Sequence, residues 1–352
     1  MDNFEVLNHY IIPSDILMDM LATYKLLGKN EQYQEALRDQ SPYLYLDTLE
    51  KDTFFATKLL KMSISENRLR LIILEKVAPK NKEEEVVLGI KKVFIRMHDA
   101  AKQHLSFNSS DMLDNLNLIF GKRSTSFSPK MLQTNNKKSK PISIRLAFNQ
   151  ILDNYHQYRV QKKFESIYLS VITFMEMKNL IPFTKHNDCI SVFYLYYMLI
   201  LSDVLVFEYV SFMELYYEIY NQIEDSIAKG SLNYYTNYLQ TSDTTRLIFK
   251  LINQAYKNLD NIVKNIAFNK RAYKSDVIEE TIYKKVPKYF TKEDIRKYHP
   301  DASDSTINRI LFKLRDEQVI MPLGKGRSAK WMKLINDNDP RIIFGVNYEQ
   351  EN

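Results

Sequence analysis

The chain has 352 residues, of which 45% are hydrophobic, 26% are charged and 12% are aromatic. This composition provides ample core material and excludes general disorder. With only 7 glycines, glycine-rich phosphate loops are scarce and a mostly helical chain is expected. The single cysteine, Cys189, excludes an intramolecular disulfide framework and a CxxC zinc site. The net charge of +6 permits contact with nucleic acid without requiring it.

Hydrophobic periodicity predicts α-helices over most of the first 270 residues. The first helix opens at Ser14 and ends at Gly28, a residue type that often terminates helices. Further helices are predicted over residues 47–76, 84–104 and 109–121, and over four or five segments of 142–268.

Two segments depart from this amphipathic pattern. Residues 122–141 are basic, polar and without periodicity, which is typical of a long exposed loop. Ile190–Phe207 is apolar and nearly long enough to span a membrane, but Ser202 and Asp203 interrupt it. A helix that is apolar on all sides is also typical of a buried core, so we predict a core helix and no membrane contact. An acidic N-terminus without a signal peptide, together with the lone cysteine, predicts a cytoplasmic protein.

A different organisation is expected after residues 269–274. Asp276 with Glu279, and Thr291 with Asp294, resemble capping boxes at the starts of two short helices. A third helix is expected to open at Ser303 or Asp304. Two short strands, 319–321 and 331–334, follow with a basic tip between them. Three small helices followed by a basic hairpin are typical of a winged helix-turn-helix.

Catalytic motifs are missing from the sequence. The six histidines show no metal-ligand spacing, and the sequence contains no GxGxxG, GxxxxGK[ST] or GxSxG motif. The most unusual stretch is residues 181–189, IPFTKHNDC, a polar interruption between two apolar helical segments. It is either a simple helix–helix connection or, at a helix N-terminus with free amides, a site for an anion or nucleotide.

The order of several short motifs resembles that of Fic-domain proteins. Ile181-Pro182-Phe183, with Asn187 four residues later, is similar to the family's signature loop, His-Pro-Phe-x-Asp/Glu-Gly-Asn-Gly-Arg-x-x-Arg. Residues 62–67 (MSISEN) resemble the family's inhibitory motif, Ser/Thr-x-x-x-Glu-Gly/Asn, which is expected on a helix. Residues 233–239 (NYYTNYL) resemble its Tyr-Tyr-x-x-Leu segment. The basic loop falls where the family carries a target-binding flap, and a C-terminal winged helix is a common appendage.

This resemblance implies a fold and an activity, the transfer of AMP from ATP to a hydroxyl group of a target protein. It also implies a histidine as general base, but Ile181 occupies that position and cannot accept a proton. Lys185 replaces the acidic residue that holds Mg²⁺ and would repel the ion. His186 and Asp188 replace the two glycines next to the phosphates.

The phosphate-binding arginines and part of the inhibitory motif are also replaced. Cys189 and Val192 stand where the resemblance places arginines. His186 lies five positions beyond Ile181, so its imidazole is expected to point elsewhere. Asn187 is predicted either to cap the next helix or to meet a ligand. In the inhibitory-type segment Glu66 and Asn67 match, but Met62 replaces the hydroxyl residue.

The predicted winged helix contains candidate DNA contacts on its third helix and in its wing. They are Asn308, Arg309, Lys313, Lys325, Arg327 and Lys330. Acidic neighbours dilute this charge, and winged helices also serve as packing or dimerisation modules.

We therefore predict a mainly α-helical, Fic-like bundle with a C-terminal winged helix. The predicted regions are an N-terminal helical region (1–105), a Fic-like core (106–270), a winged helix (275–335) and a tail (336–352). The expected function is that of a catalytically inactive binding or regulatory protein, with a protein or DNA as partner, a possible homodimer and no cofactor. Two alternatives stay open: an active nucleotidyltransferase that uses ATP and Mg²⁺ with a non-standard loop, and a regulator that binds nucleotide without turnover.

Overall fold

The computed structural model describes residue 4 and residues 12–132, 141–236, 238–300, 302–324 and 329–334, with the backbone alone for 268–276. Contacts divide the chain into two compact units, Met1–Asp260 and Asn261–Asn352. Helices dominate both units, which confirms the mainly α-helical prediction. No helix among the described residues is long and apolar enough to cross a membrane.

The described residues of the first unit form successive helices and a pair of short antiparallel strands, and its last helix continues into the second unit. The helices are α1 (Ser14–Leu27), α2 (Asn30–Leu37), α3 (Ser41–Leu59), α4 (Glu66–Ile73), α5 (Lys82–Lys102), α6 (Ser109–Phe120), α7 (Ile144–Val160), α8 (Ser166–Leu180), α9 (Asn187–Ile200), α10 (Phe212–Glu218), α11 (Tyr220–Gly230) and α12 (Ser242–Lys284). Single 3-10 turns occur at Leu205–Glu208 and Tyr234–Thr236.

The predicted helix over 47–76 is wrong, because two helices occupy that region. α3 ends at Leu59, and Lys61 takes a left-handed backbone conformation (φ 53°) that no helix can continue. The chain then runs in a non-helical connection to α4. Met62 and Ile64 of this connection pack against the apolar cluster that joins α3, α4 and α5, so burial of these two side chains favours the break.

α8 and α9 form the centre of the first unit. Nearly every side chain of both helices is buried, including Phe174, Phe193 and Leu195. The apolar segment that begins at Ile190 is therefore a core helix, as predicted. The helices lie next to each other and are joined by residues 181–186.

The basic segment 122–141 is only partly the loop that its composition predicts. Strand β1 (Met131–Leu132) pairs antiparallel with β2 (Ile142–Ser143), with Met131 opposite Ser143. Residues 133–140 lie outside the described residues. α7 then begins at Ile144, where the Ser143 hydroxyl accepts a hydrogen bond from the Leu146 N–H.

The second unit begins inside a continuous helix. A new helix was expected near Asp276, but the backbone is helical without interruption from Ser242 to Lys284. The border between the two units falls between residues 260 and 261. The borders at 105 and 270 stay predictions.

A small mixed fold follows this helix. Its elements are β3 (Tyr289–Phe290), α13 (Lys292–Tyr298), α14 (Asp304–Asp316), β4 (Ile320–Pro322) and β5 (Trp331–Lys333). The three strands form an antiparallel sheet with β5 in the centre. Thr291 and Asp294 form the predicted capping box, and the Ser303 hydroxyl caps α14.

Candidate functional site

The loop that resembles the Fic signature begins and ends with left-handed residues. α8 ends at Leu180, Ile181 has φ 51°, and His186 has φ 62° immediately before α9. A β-branched residue in this conformation is strained. Ile181 is 49% exposed and has a hydrocarbon side chain, so it offers no group for proton transfer.

The centre of the loop is anchored in the core by Phe183. This side chain is 1% exposed, its ring stacks on Phe127 at 5.4 Å, and its edge meets Phe148 at 5.8 Å between centroids. The main chain is held as well, because the Ser128 N–H donates to the Pro182 carbonyl at 2.9 Å. The loop is thus an extension of the protein core.

Asn187 closes the loop on itself. Its Oδ1 accepts a hydrogen bond from the Phe183 N–H at 2.9 Å, and its Nδ2 donates to the Phe183 carbonyl at 2.8 Å. These two hydrogen bonds fix the shape of the loop. They serve neither as a helix cap nor as a ligand contact, the two roles predicted for Asn187. His186, not Asn187, is the N-cap residue of α9, and its side chain makes no cap hydrogen bond.

The imidazole of His186 lies flat on the ring of Phe120, with centroids 3.5 Å apart and planes within 6°. Burial lowers the pKa of His186, and the charge of Lys185 lowers it further. The ring is therefore neutral at pH 7. Lys185 itself is exposed to solvent.

Asp188 belongs to an ion-pair cluster. The Lys178 ammonium, on a side chain only 6% exposed, lies 2.6 Å from Asp188 Oδ1 and 2.9 Å from each oxygen of Glu224. Burial lowers the pKa of Lys178, but its hydrogen bonds to Asp188 and Glu224 outweigh burial and raise it overall. This lysine stays charged and is shared by two carboxylates.

A small cavity opens beside the first turns of α9. Its lining includes Cys189 and Val192, where the resemblance places arginines, together with the Asp188 and Glu224 side chains. The volume is about 50 Å³, against roughly 300–1,000 Å³ for ordinary ligand pockets. Burial raises the pKa of the Cys189 thiol, so it is not a thiolate.

Comparisons with known proteins identify the fold. No family model matches the sequence, and no curated protein is significantly similar to it. A Fic family protein from Desulfovibrio desulfuricans G20 matches 93% of this chain and 98% of its own, with 10% identity and a TM-score of 0.50. A Fic domain containing signaling protein from Bacteroides thetaiotaomicron matches 69% of this chain and 97% of its own (12% identity, TM-score 0.52). Fic-1 from C. elegans, residues 134–508, matches 71% and 74% (14% identity, TM-score 0.51).

This chain has the Fic fold. The expectation that rested on the loop and its neighbouring motifs is therefore confirmed at the level of the fold. Within the Fic fold, residues 181–186 connect two central helices, as the resemblance implies.

The inhibitory-type segment of this Fic fold differs from the expectation. Residues 62–65 are not helical, and α4 begins only at Glu66. The Glu66 carboxylate accepts a hydrogen bond from Lys58 Nζ at 2.6 Å, and this contact lowers its pKa. Glu66 and Asn67 are both exposed, and the Met62 side chain packs onto the apolar cluster of α3–α5.

Several residues that shape this loop were not found from the sequence. They are Phe120, Phe127, Lys178 and Glu224. Lys178 is the basic residue of the largely apolar helix α8, and this was the available signal, since a buried lysine requires a partner. Nothing local to Glu224 or Phe127 indicates that it meets the loop.

The candidate DNA contacts of the second unit occupy different environments. Arg309 and Lys330 are exposed, and Asn308 is half-buried. The Lys313 ammonium lies 2.8 Å from Oε1 of Glu279, a residue only 2% exposed. Lys313 therefore neutralises a buried carboxylate. Lys325 and Arg327 lie outside the described residues.

Proposed function

We propose that this Fic-fold chain acts by binding a partner and that its loop 181–189 does not transfer a nucleotide. The observation that carries the proposal is that four of the loop's side chains are used within the protein. Phe183 fills the core, both ends of the Asn187 amide bind Phe183, His186 stacks on Phe120, and Asp188 pairs with Lys178.

Electrostatics support the same proposal. A triphosphate needs cationic side chains and free amides around it. The lining of the small cavity contains Asp188 and Glu224, and the buried Lys178 ammonium is already shared by these two carboxylates. Among the described residues, no group of three histidine, cysteine, aspartate or glutamate side chains is arranged to hold a metal ion.

Calorimetric titration of the full chain with ATP tests this proposal. We expect no binding heat with or without Mg²⁺, and no self-modification with labelled ATP. His186→Ala is the control variant, since it removes the imidazole next to the loop amides. Micromolar Mg²⁺-dependent binding that this substitution weakens would contradict the proposal. Self-modification with labelled ATP would then support the nucleotidyltransferase alternative. Binding without self-modification would support the alternative of a regulator that binds nucleotide.

We also propose that the second unit is a winged helix that contacts DNA. Its helix–strand–helix–helix–strand–strand order is the order of that module, in which the last helix enters the major groove. The exposed face of α14 contains Arg309, and Lys330 precedes the central strand. Lys313 is assigned a structural role because of its ion pair with Glu279.

Fluorescence anisotropy with a random-sequence duplex tests the DNA proposal on the full chain. Arg309→Ala and Lys330→Ala are each expected to weaken binding and to reduce the slope of log affinity against log salt by about 1. Lys51→Ala is the matched control, since Lys51 is an exposed lysine of the first unit that pairs with Asp47. We expect this variant to leave the affinity and the salt slope unchanged. If the duplex does not bind, or if its affinity does not depend on salt, the DNA contact is refuted. A protein would then be the partner that the proposal retains.

A further inference from the structure

A second cavity lies at the other end of α9, away from the loop 181–189. It has a volume of about 140 Å³ and is formed by α5, α6, α9 and the connection between α5 and α6. A cavity of roughly 150 Å³ admits a benzene molecule. The space therefore suits a compact molecule of roughly six to eight non-hydrogen atoms, and it is too small for a nucleotide.

Two deeply buried donors face this cavity. Asn115 is 4% exposed and Tyr194 is 2% exposed, and both line it. Asn115 Oδ1 accepts from Arg96 Nη1, and Asn115 Nδ2 donates to Tyr194 Oη, both at 3.0 Å. The second amide hydrogen of Asn115 and the hydroxyl hydrogen of Tyr194 have no acceptor among the described residues. Because buried donors are nearly always paired, this pair requires an oxygen acceptor.

Charges of both signs border the same cavity. Arg96 and Asp111 are part of its lining. The charge of Asp111 raises the pKa of Tyr194, after the larger effect of burial, and that of Arg96 opposes it. The charges of Asp111 and Arg96 thus both act on the Tyr194 hydroxyl. A ligand with a single charge would meet one favourable and one unfavourable partner, whereas a zwitterion satisfies both.

Apart from Ser106, the side chains of the remaining wall are apolar or aromatic. The ring of Phe107 lies 4.7 Å from that of Tyr194 and 5.5 Å from that of Tyr197. The Tyr197 hydroxyl already donates to the Leu105 carbonyl at 2.8 Å, so Tyr197 contributes its ring face. This surface suits a short hydrocarbon side chain.

We propose that this cavity binds a free α-amino acid with a small apolar side chain. The carboxylate of the amino acid accepts hydrogen bonds from Tyr194, Asn115 and Arg96. Its ammonium group faces Asp111, and its side chain packs against Phe107. The site is separate from the loop 181–189, so the proposal does not depend on whether that loop binds ATP.

Calorimetry and thermal denaturation of the full chain with three probes test this ligand class. L-Valine carries both charges, isovalerate lacks the ammonium group, and isobutylamine lacks the carboxylate. We expect saturable binding and a raised Tm with L-valine, and at least about tenfold weaker binding for each single-charge analogue, because each leaves one charge pair unmade. No response to L-valine at millimolar concentration, or equal responses to all three probes, would overturn the proposal.

The variant Tyr194→Phe tests the position of the ligand. It removes the buried hydroxyl donor and keeps the ring, so L-valine affinity should fall about tenfold or more while the ligand-free protein stays folded. Tyr216→Phe is the matched control, since Tyr216 is a buried tyrosine outside the cavity lining whose hydroxyl has no hydrogen-bond partner among the described residues. Equal affinities in the two variants would refute the site.

Discussion

Replacing Phe183 with alanine is expected to lower the free energy of unfolding by about 3–5 kcal/mol. The ring is 1% exposed and packs between Phe127 and Phe148, so its removal leaves a cavity in addition to the lost burial. Residues 126–128 also pair with the backbone of the loop on either side of this ring. Urea denaturation followed by circular dichroism measures the change.

Lys185→Ala is the control for this prediction, because Lys185 is exposed in the same loop. A surface substitution of this kind changes stability by at most about 0.5 kcal/mol. If Phe183→Ala costs no more than the control, the loop is not anchored through the core. The proposal that its side chains serve the fold would then lose its main support.

Replacing Asp52 with asparagine is expected to stabilise the protein at pH 8 by up to roughly 4 kcal/mol. Asp52 is 2% exposed, and burial raises its pKa from 3.8 to about 7, with a smaller contribution from Glu214. Its Oδ1 accepts hydrogen bonds from the Ser211 hydroxyl at 2.6 Å and from the Met213 N–H at 2.9 Å, and the Phe212 N–H also donates to the carboxyl. Asparagine keeps this oxygen and removes the charge that must be buried above pH 7.

The pH dependence of this effect has a definite sign. Between pH 4 and 7 the folded state keeps a proton on Asp52 that the unfolded state releases, so this carboxyl lowers stability as the pH rises. The stability difference between Asp52→Asn and the parent should be near zero below pH 4 and largest above pH 7. His98, whose pKa is lowered to about 4 by burial, changes stability with pH in the opposite direction. Subtracting the stability curve of the parent from that of Asp52→Asn removes this contribution, because both proteins contain His98.

Asp52→Ala is the second variant in this experiment. It leaves the Ser211 hydroxyl and the Met213 N–H without their acceptor and should destabilise the protein by about 1–3 kcal/mol even below pH 4. An asparagine variant that is less stable than the parent at pH 8 would contradict the prediction, since it would mean that the ionised carboxylate stabilises the fold.

The sequence was most informative where the physical cause is local. The Thr291–Asp294 capping box, the Ser303 cap and the apolar helix that begins near Ile190 depend on neighbours within a few positions, and all are present. Local reasoning failed at Lys61, where a left-handed residue separates α3 from α4. It also failed at Asp276, where an apparent cap lies inside a continuous helix. In the first case the packing of Met62 and Ile64 onto the apolar cluster of α3, α4 and α5 favours the break.

By itself the sequence determined the helical class, the resemblance to the Fic signature and the replacement of its chemically active residues. Only the tertiary structure decided which partners the loop residues and the buried Asp52 contact. Phe183 meets Phe127 and Phe148, Asp188 shares Lys178 with Glu224, and Asp52 binds Ser211. These partners lie from 10 to 159 positions apart. Helical periodicity shows which face of a helix is buried but not which distant side chain meets that face.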